Sequence, residues 1–232
     1  MKFLTSQPLL AVDYPAGRED IVKKRIEKLE RYGISLEKFI AKGYRGTVFS
    51  GKMFPPSYFS TPIKVAVKFA RSDVDKVNFL LKEAEILEYL SNNDFVPAVY
   101  FYDKDFLVME FVDGEPFDSK TFLHRKDFKE IVSVILEKCY LMDELGVEHT
   151  ELKGKDHIVV NRFSVKFIDF ESAKFAKSPR NLFQFLGAHL FNLPDDALER
   201  KGINVERVKK GMKTYKENRE KGLKEVLEGL NL

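Results

Sequence analysis

Cysteine is almost absent from this sequence. Its 232 residues include only Cys139, which excludes an intrachain disulfide and a zinc site built on cysteine ligands. Because Cys139 lies in an apolar helical run, we expect a buried and unreactive thiol. No window supplies the roughly 18 apolar residues of a membrane-spanning helix. The first 17 residues lack both the long apolar stretch and the cleavage site of a secretory signal, so we expect a cytoplasmic protein.

An excess of one charge is also missing. The chain carries 39 basic and 36 acidic side chains, and a net charge of +3 does not mark the whole protein as a nucleic-acid binder. The balance is broken in residues 200–224, where ten Lys or Arg stand against three Asp or Glu. That pattern is typical of a solvated helical face, and the alternative is a contact with RNA or a ribonucleoprotein partner. Four of these lysines recur at helical spacing: Lys209, Lys210, Lys213 and Lys216.

Apolar spacing and turn residues predict the order of the secondary structure. The first part is rich in strands and the second is mostly helical, with the sharpest change in composition near residue 112. We therefore expect an α+β protein with an N-terminal lobe over 1–112 and a C-terminal lobe over 113–232. The predicted elements are a helix at 18–32, strands within 37–54, a loop at 52–62, a strand at 63–70, a helix at 73–91, a hairpin at 98–111, a helix at 127–145, a hairpin at 157–170 and helices beyond Arg180.

A pair of glycines lies between two of the predicted strands. Gly43 and Gly46 are three residues apart, and Val48 follows two residues later. Glycine has no Cβ, so backbone N–H groups at such a turn can approach a phosphate closely. Glycines between strands more often serve only to form the turn, and this alternative stays open.

The apolar strand that follows ends at a lysine. Lys68 closes the sequence VAVK, and Glu83 lies in the next predicted helix. A lysine at this point either reaches water from the rim of the sheet or is buried with a partner. Glu83 can supply that partner and hold the ammonium ready for the phosphates of a nucleotide. The alternative is an edge lysine beside a solvated helix charge.

Polar residues that are candidates for catalysis or metal binding lie in the loop that precedes the second hairpin and in the hairpin itself. Asp169 ends a strongly apolar strand, where a carboxylate is costly to bury unless it is paired or binds a metal ion. His149 either takes part in catalysis or orients the loop, and His157 is predicted to be packed or solvated. The other polar candidates of the loop are Glu151, Lys153 and Asp156.

In order and spacing these residues resemble the motif set of the protein kinases. The resemblance covers roughly residues 39–190 and is to the small archaeal, atypical serine/threonine type, as in the RIO kinases and the kinase of the KEOPS complex. It implies a two-lobed α+β fold that binds ATP and Mg²⁺, or Mn²⁺, in the cleft between the lobes. It also implies transfer of the γ-phosphate to a hydroxyl acceptor by positioning and charge neutralisation, without covalent chemistry by the protein.

The resemblance gives each of these positions a role. The matching segments are the glycine-rich loop at 41–48, the hinge strand at 106–114, the catalytic loop at 149–153 and the metal motif at 169–171. The implied nucleotide contacts are Gly43, Gly46, Val48, Lys68 with its partner Glu83, the gatekeeper Met109, Glu110 and Val112. The implied catalytic residues are Glu151 as the base, Lys153 on the transferred phosphate and Lys68, with Asp169 and Asp156 as the metal ligands.

The match departs from the family pattern in its catalytic motifs. Glu151 and Asp156 replace an aspartate and an asparagine, and Glu171 replaces the glycine of the metal motif. Only ten residues, 172–181, precede the next predicted helix, so an activation segment is missing from its usual place and the docking of a protein substrate stays open. The alternatives to a serine/threonine protein kinase are a kinase for a small molecule such as a sugar or lipopolysaccharide, a partner-dependent ATPase, and a pseudokinase that acts as a scaffold.

Overall fold

A computed structural model describes residues 6–43, 45–54, 61–73, 76–162 and 164–231. Parts of three predicted features lie outside these residues: Tyr44 of the glycine-rich loop, 55–60 of the loop at 52–62, and residues 74 and 75 of the helix at 73–91. Phe163 of the second hairpin also lies outside them. The chain divides into two units, Met1–Val112 and Asp113–Leu232. None of the helices formed by the described residues combines the length and apolar character that crossing a bilayer requires.

The first unit begins with helices, and five described strands follow, with one more helix between the third and fourth strands in the chain. Its described elements are α1 (Ser6–Leu9), a 3₁₀ turn (Leu10–Asp13), α2 (Glu19–Arg31), β1 (Ile34–Lys42), β2 (Gly46–Met53), β3 (Ile63–Ala70), α3 (Lys76–Tyr89), β4 (Val99–Tyr102) and β5 (Phe106–Glu110). The described strands form an antiparallel sheet in the order β1-β2-β3-β5-β4.

The strand β3 is buried on both faces of this sheet. Six consecutive residues, 65–70, are buried. Because successive side chains of a strand point to opposite faces, Val65, Val67 and Phe69 pack into one core, while Lys68 points to the face that carries α3. Burial on both faces explains why the sequence of this strand is almost continuously apolar.

The N-terminal segment covers the face of the sheet opposite α3. Val12, Val22 and Leu29 are buried against the apolar strand residues of that face. The predicted helix at 18–32 is confirmed as α2, whose acidic first turn and basic last turn suit the helix dipole. Apolar spacing predicted that α2 is a helix with one apolar face, but it contains no signal for the partner of that face.

Buried charges hold the N-terminal segment in place. Asp13 is fully buried and accepts a hydrogen bond from Arg18 Nε at 2.8 Å, while Arg25 Nη1 lies 3.9 Å from its carboxylate. Arg25 also lies 3.6 Å from Asp105, in the turn between β4 and β5. Burial raises the pKa of Asp13, but the hydrogen bonds and charge of Arg18 outweigh burial and leave this pKa below its usual range. Because a buried charge is stable only with its partner, these contacts make the segment part of the first unit's fold.

The second unit is mostly helical and contains short paired strands. Its described elements are β6 (Glu115–Pro116), α4 (Ser119–Phe122), α5 (Phe128–Glu144), β7 (Val147–Glu148), β8 (Ile158–Asn161), β9 (Ser164–Phe167), a 3₁₀ turn (Phe170–Ser172), β10 (Lys174–Phe175), α6 (Asn181–Phe185), a π-helical segment (Leu186–Leu190), α7 (Asp195–Arg200), α8 (Val205–Tyr215) and α9 (Arg219–Gly229). Strand β8 pairs with β6 and β9, and β7 pairs with β10.

The helix α5 joins several parts of the second unit through one side chain. Asp143 is fully buried and accepts hydrogen bonds from Asn181 Nδ2 of α6 and from the Tyr215 hydroxyl of α8, each at 2.8 Å. Burial raises the pKa of Asp143 in spite of these hydrogen bonds. Cys139 of the same helix is buried, as predicted, and burial raises the pKa of its thiol well above the usual range.

The predicted α+β fold and the order of its long elements are confirmed. The helices at 73–91 and 127–145 appear as α3 and α5, and the two hairpins appear as β4–β5 and β8–β9. The strands β6, β7 and β10 were not predicted. Each contains two residues, which is too short for a periodic pattern to register.

Candidate active site

The two glycines at the turn from β1 into β2 serve different purposes. The N–H of Gly43 donates to the carbonyl of Gly46 at 2.8 Å, which closes the turn. Gly46 is buried in β2, and a Cβ at this position would lie 2.2 Å from the Phe69 carbonyl oxygen of β3. Gly43 is exposed, and a Cβ there would meet only the Gly46 carbonyl, at 3.7 Å. Close strand packing therefore requires Gly46, whereas the fold of the described residues does not require glycine at position 43.

Lys68 and Glu83 form a buried ion pair in the first unit. Lys68 Nζ donates to Glu83 Oε2 at 2.7 Å, and the two side chains are 6% and 0% exposed. The pair joins β3 to α3. Of the two alternatives that the sequence left open, the structure has the buried, partnered lysine, and Glu83 is not a solvated helix charge. A charge-assisted contact of this kind fixes the position of the ammonium.

Strand register places several candidate residues on the face of the sheet that carries Lys68. Val48 and Leu107 lie directly opposite Lys68, and Ala66 lies opposite Met109. Side chains directly opposite each other in an antiparallel pair share a face. Val48, Ala66 and Met109 therefore form an apolar surface beside the lysine. Ala66 was not among the predicted site residues, although its alternation with Val65 and Val67 in VAVK is a signal for it.

The backbone N–H groups of the predicted hinge residues, 110–112, differ in whether they already have a hydrogen-bond acceptor. The N–H of Glu110 donates to the Ala98 carbonyl at 2.8 Å, and the N–H of Phe111 donates to the Lys64 carbonyl at 3.4 Å. Among the residues that the structure describes, none accepts a hydrogen bond from the N–H of Val112. Of the three predicted hinge residues, 110–112, only Val112 therefore has an N–H available to a ligand.

The second unit contains the predicted catalytic loop, and His149 fixes its position. The His149 backbone N–H donates to Asn181 Oδ1 at 2.9 Å, and ring Nε2 lies 3.0 Å from the Ile168 carbonyl. The ring is fully buried and packs 4.6 Å from the ring of Phe170. Burial lowers the pKa of His149 to about 4. A neutral, enclosed imidazole orients the loop against the segment of Asp169, and this geometry favours the structural alternative for His149.

The burial of His149 predicts a loss of stability in mild acid. Its folded-state pKa of about 4 lies below the ordinary value of 6.5, so the unfolded chain binds a proton first as the pH falls. The stabilisation is fully present well above pH 6.5 and is lost as the pH falls from 6.5 to 4. At pH 4.5 the loss of unfolding free energy relative to neutral pH is about 2.5 kcal/mol. Urea unfolding of the wild type and of His149→Phe at pH 7 and 4.5 measures this loss. We expect a smaller loss of unfolding free energy in the variant.

An exposed histidine supplies the control for this measurement. His124→Gln should retain the full pH dependence of the wild type, because His124 is exposed. If His149→Phe lost as much stability between the two pH values as the wild type does, the buried ring would not be the source of the acid sensitivity.

Glu151 is oriented by a hydroxyl that the sequence did not predict. Ser172 Oγ donates to Glu151 Oε1 at 2.8 Å, and Thr150 Oγ1 donates to the Ser172 carbonyl at 3.2 Å. Thr150 and Asp169 both have left-handed backbone conformations, with φ of 70° and 65°. Such values are unfavourable for a β-branched residue and are most often retained at functional sites. Ser172 lies three residues after Asp169, in a turn whose conformation no sequence pattern indicated.

Three side chains of the second unit converge as a Glu151–His157–Asp169 cluster. His157 Nε2 lies 4.0 Å from Glu151 Oε2, and His157 Nδ1 lies 3.9 Å from Asp169 Oδ2. One ligand atom from each residue lies within 4.8 Å of the others. Two carboxylates and one imidazole are a suitable donor set for a divalent ion. The Asp169 side chain is 37% exposed, which lets it reach a ligand.

Two other predicted residues of this loop point to solvent. Asp156 and Lys153 are exposed, and no metal-compatible group among the described residues includes Asp156. The roles of Asp156 as a metal ligand and of Lys153 on the transferred phosphate remain predictions. His157, predicted to be packed or solvated, takes the position beside Asp169.

The basic C-terminal region is remote in sequence from these groups. On α8, Lys209, Lys210 and Lys213 are exposed, as is Lys216 at its C-terminal end. Lys209 pairs with Glu206 at 2.9 Å, and Arg207 pairs with Glu228, so part of the local positive charge is neutralised. These ion pairs fit the solvated-face alternative, and an RNA partner stays a prediction.

Several known proteins are similar to parts of this chain. The family described as protein tyrosine and serine/threonine kinase matches residues 34–181. An uncharacterized protein of Methanocaldococcus jannaschii is 37% identical over 81 residues, which are 34% of this chain and 67% of that protein. A probable serine/threonine-protein kinase of Dictyostelium discoideum is 24% identical over 73% of this chain. The serine/threonine-protein kinase cds1 of Schizosaccharomyces pombe is 25% identical over 54% of it. The alignments span 28% and 29% of the lengths of these two kinases.

Proposed function

Because this chain belongs to the protein tyrosine and serine/threonine kinase family, we propose that it is an ATP-dependent serine/threonine protein kinase. The buried ion pair between Lys68 and Glu83, at 2.7 Å, is the observation that carries the proposal. Burying two charges is costly, and replacing such a pair by apolar side chains is often neutral or stabilising. A fixed ammonium on a sheet is useful where it meets a polyphosphate. The two similar serine/threonine kinases support the choice of acceptor.

In the first unit, the proposal gives ATP three kinds of contact. The free N–H of Val112 donates to the adenine ring, and the face of Val48, Ala66 and Met109 packs against it. Lys68 neutralises charge on the α- and β-phosphates while Glu83 holds it in position. The turn at Gly43 lets backbone N–H groups approach the phosphates, because no Cβ stands in the way.

In the second unit, the proposal gives Glu151 the role of base. Ser172 holds Oε1, which leaves Oε2 to orient the acceptor hydroxyl and take its proton. Glu151 is one methylene longer than the aspartate of the family pattern, and the Ser172 hydrogen bond limits the freedom that the extra length brings. Asp169 holds the divalent ion, with Asp156 as a further ligand. The ion, when bound, neutralises charge that develops on the transferred phosphate.

The same region bears on the type of kinase. Eight residues, 173–180, separate the 3₁₀ turn at Phe170–Ser172 from α6. This connection is short for a segment that docks a protein substrate, which supports the small atypical type that the sequence resembles. It also keeps a small-molecule acceptor as the second candidate, because such an acceptor needs no docking segment.

Phosphate transfer with labelled nucleotide tests the proposal. The protein is incubated with γ-labelled ATP and Mg²⁺ or Mn²⁺, alone and with cell extract, and the label is followed into protein, small molecules and free phosphate. We expect label on serine or threonine of a protein. Label in a small molecule would replace the acceptor, and free phosphate alone would indicate a partner-dependent ATPase. Nucleotide binding with no transfer under any condition would overturn the proposal in favour of a pseudokinase.

The two glycines provide a matched test of the phosphate loop. Gly43→Ala adds a methyl group at an exposed position that the fold tolerates, so we expect weaker ATP binding, about tenfold, with an unchanged melting temperature. Gly46→Ala forces the methyl group to within 2.2 Å of the Phe69 carbonyl oxygen and should lower the melting temperature. Calorimetric ATP titration and thermal unfolding separate the two effects. Unchanged ATP affinity in Gly43→Ala would show that the turn does not contact phosphate.

A further inference from the structure

We propose that His157 is a metal ligand beside Asp169 and that its nitrogen gives this site a preference for a first-row transition-metal dication, with Mn²⁺ as the test ion, over Mg²⁺. The inference rests on the proposed function in placing a divalent ion at Asp169. It goes beyond it by assigning a nitrogen ligand and, through that ligand, the class of metal. The observation that carries it is the position of one imidazole beside two carboxylates.

The spacing of His157 and Asp169 suits a single ion. His157 Nδ1 lies 3.9 Å from Asp169 Oδ2. Two ligand atoms on opposite sides of an ion, each at about 2.1 Å, are about 4.2 Å apart. The observed separation therefore lets one ion bind both atoms with little movement of either side chain.

The imidazole is held in this position by its surroundings. A Cβ at Gly154 would lie 2.4 Å from His157 Cδ2 and 2.6 Å from Nε2, so the ring packs directly on the backbone of the loop. The Gly154 N–H donates to the Glu151 carbonyl at 3.0 Å, which closes the turn that carries both residues. The ring also packs 5.7 Å from the ring of His149.

One atom of the ring lacks a hydrogen bond that its burial would require. His157 Nδ1 is buried and has no hydrogen-bond partner among the described residues, and it faces Asp169. A buried nitrogen without a partner loses the hydrogen bond that water would give it. Coordination of an ion between Nδ1 and the Asp169 carboxylate would give Nδ1 the partner that it lacks.

Ligand chemistry sets the preference for the ion. Mg²⁺ binds oxygen ligands and water in a strict octahedron and gains little from a nitrogen donor. Divalent transition metals accept an imidazole ligand more readily than Mg²⁺ does, and the affinity of a given site rises from Mn²⁺, the weakest of them, towards Cu²⁺. An oxygen-only set of carboxylates would not discriminate in this way. His157 is therefore the residue that should move the selectivity of the site.

Metal binding to the nucleotide-free protein tests the inference. Mn²⁺ affinity is measured by the electron paramagnetic resonance signal of the free ion, and Mg²⁺ affinity by competition, for the wild type and His157→Asn. We expect the wild type to bind Mn²⁺ more tightly than Mg²⁺. In His157→Asn the Mn²⁺ affinity should fall by about ten- to a hundredfold while the Mg²⁺ affinity changes little. An unchanged ratio of the two affinities in the variant would overturn the inference.

Two further variants secure the result. His124→Asn removes an exposed histidine and should leave both affinities unchanged. Gly154→Ala keeps the imidazole in the chain but displaces the ring, so it should reduce the Mn²⁺ affinity even if His157→Asn fails to fold. Labelled-ATP assays run in parallel separate this inference from the proposed function. If the ratio of Mn²⁺ to Mg²⁺ affinity falls in His157→Asn but the wild type transfers no phosphate, His157 is a metal ligand and the proposed kinase function is wrong. If the wild type transfers phosphate and the ratio is unchanged in the variant, the kinase function holds and His157 is not a metal ligand.

Discussion

Lys68→Met is expected to lower the rate of phosphate transfer by about 10²- to 10³-fold, the loss typical of removing one charge-stabilising group from an active site. The methionine retains the apolar length of the lysine and removes the ammonium that Glu83 holds at 2.7 Å. Since the proposed role of this ammonium is to neutralise phosphate charge, both kcat and ATP affinity should fall. Steady-state kinetics with labelled ATP measure the change.

The buried partner requires a control for folding. Removing the ammonium leaves the Glu83 carboxylate buried without it, and breaking a buried pair costs roughly 3–5 kcal/mol. The double variant Lys68→Met/Glu83→Gln removes both charges, so it should recover part of the stability and none of the activity. Lys52→Met removes an exposed strand lysine, paired with Glu37 at 2.5 Å, and should change neither property. Wild-type turnover in a folded Lys68→Met protein would show that Lys68 does not contact the nucleotide.

Glu151→Gln should lower kcat by about 10²- to 10⁴-fold, the range of a general base, with little effect on ATP binding. Glutamine retains an oxygen that accepts the Ser172 hydrogen bond, which measures 2.8 Å in the wild type, so the side chain can stay in place. What it loses is the basic oxygen. Single-turnover transfer rates and ATP titration of the same preparation distinguish the chemical step from binding.

Two neighbouring variants sharpen this second test. Ser172→Ala leaves the carboxylate but removes the hydroxyl that orients it, and a decrease of about tenfold or less is expected. Glu151→Asp restores the residue of the family pattern and should retain more activity than the glutamine variant. If Glu151→Gln transferred phosphate at the wild-type rate, another group would have to act as the base.

Local sequence patterns were sufficient for the long elements, because each depends on the period of a strand or helix, which the sequence contains directly. The pairing of Lys68 with Glu83 was one of two alternatives that the sequence left open, and the burial of both side chains decides between them. The contact between Gly46 and the Phe69 carbonyl was beyond such patterns, because it depends on the register of two strands. The approach of His157 to Asp169 was equally hidden, since their twelve-residue separation includes a hairpin whose geometry sets the distance.

The charged groups of the N-terminal segment show a similar limit. Asp13 and Arg25 resemble ordinary surface residues in the sequence, because their spacing of twelve matches no common local pairing. Their burial depends on the way the segment crosses the sheet, and on the turn that brings Asp105 to Arg25. A buried ion pair between distant elements depends on tertiary packing, which neither composition nor a local sequence pattern predicts.

The N-terminal segment packs on one face of the sheet in the first unit, so the family match and the folded unit begin at different residues. The family match starts at residue 34, yet the side chains that shield the outer face of the sheet, Val12, Val22 and Leu29, all precede it. A fragment trimmed to the family boundary would present Phe49, Val65 and Phe69 to water on one surface. An exposed apolar face of that kind favours self-association. Trimming studies and variant libraries should therefore treat the buried side chains of residues 12–29 as interior, although they lie outside the family match.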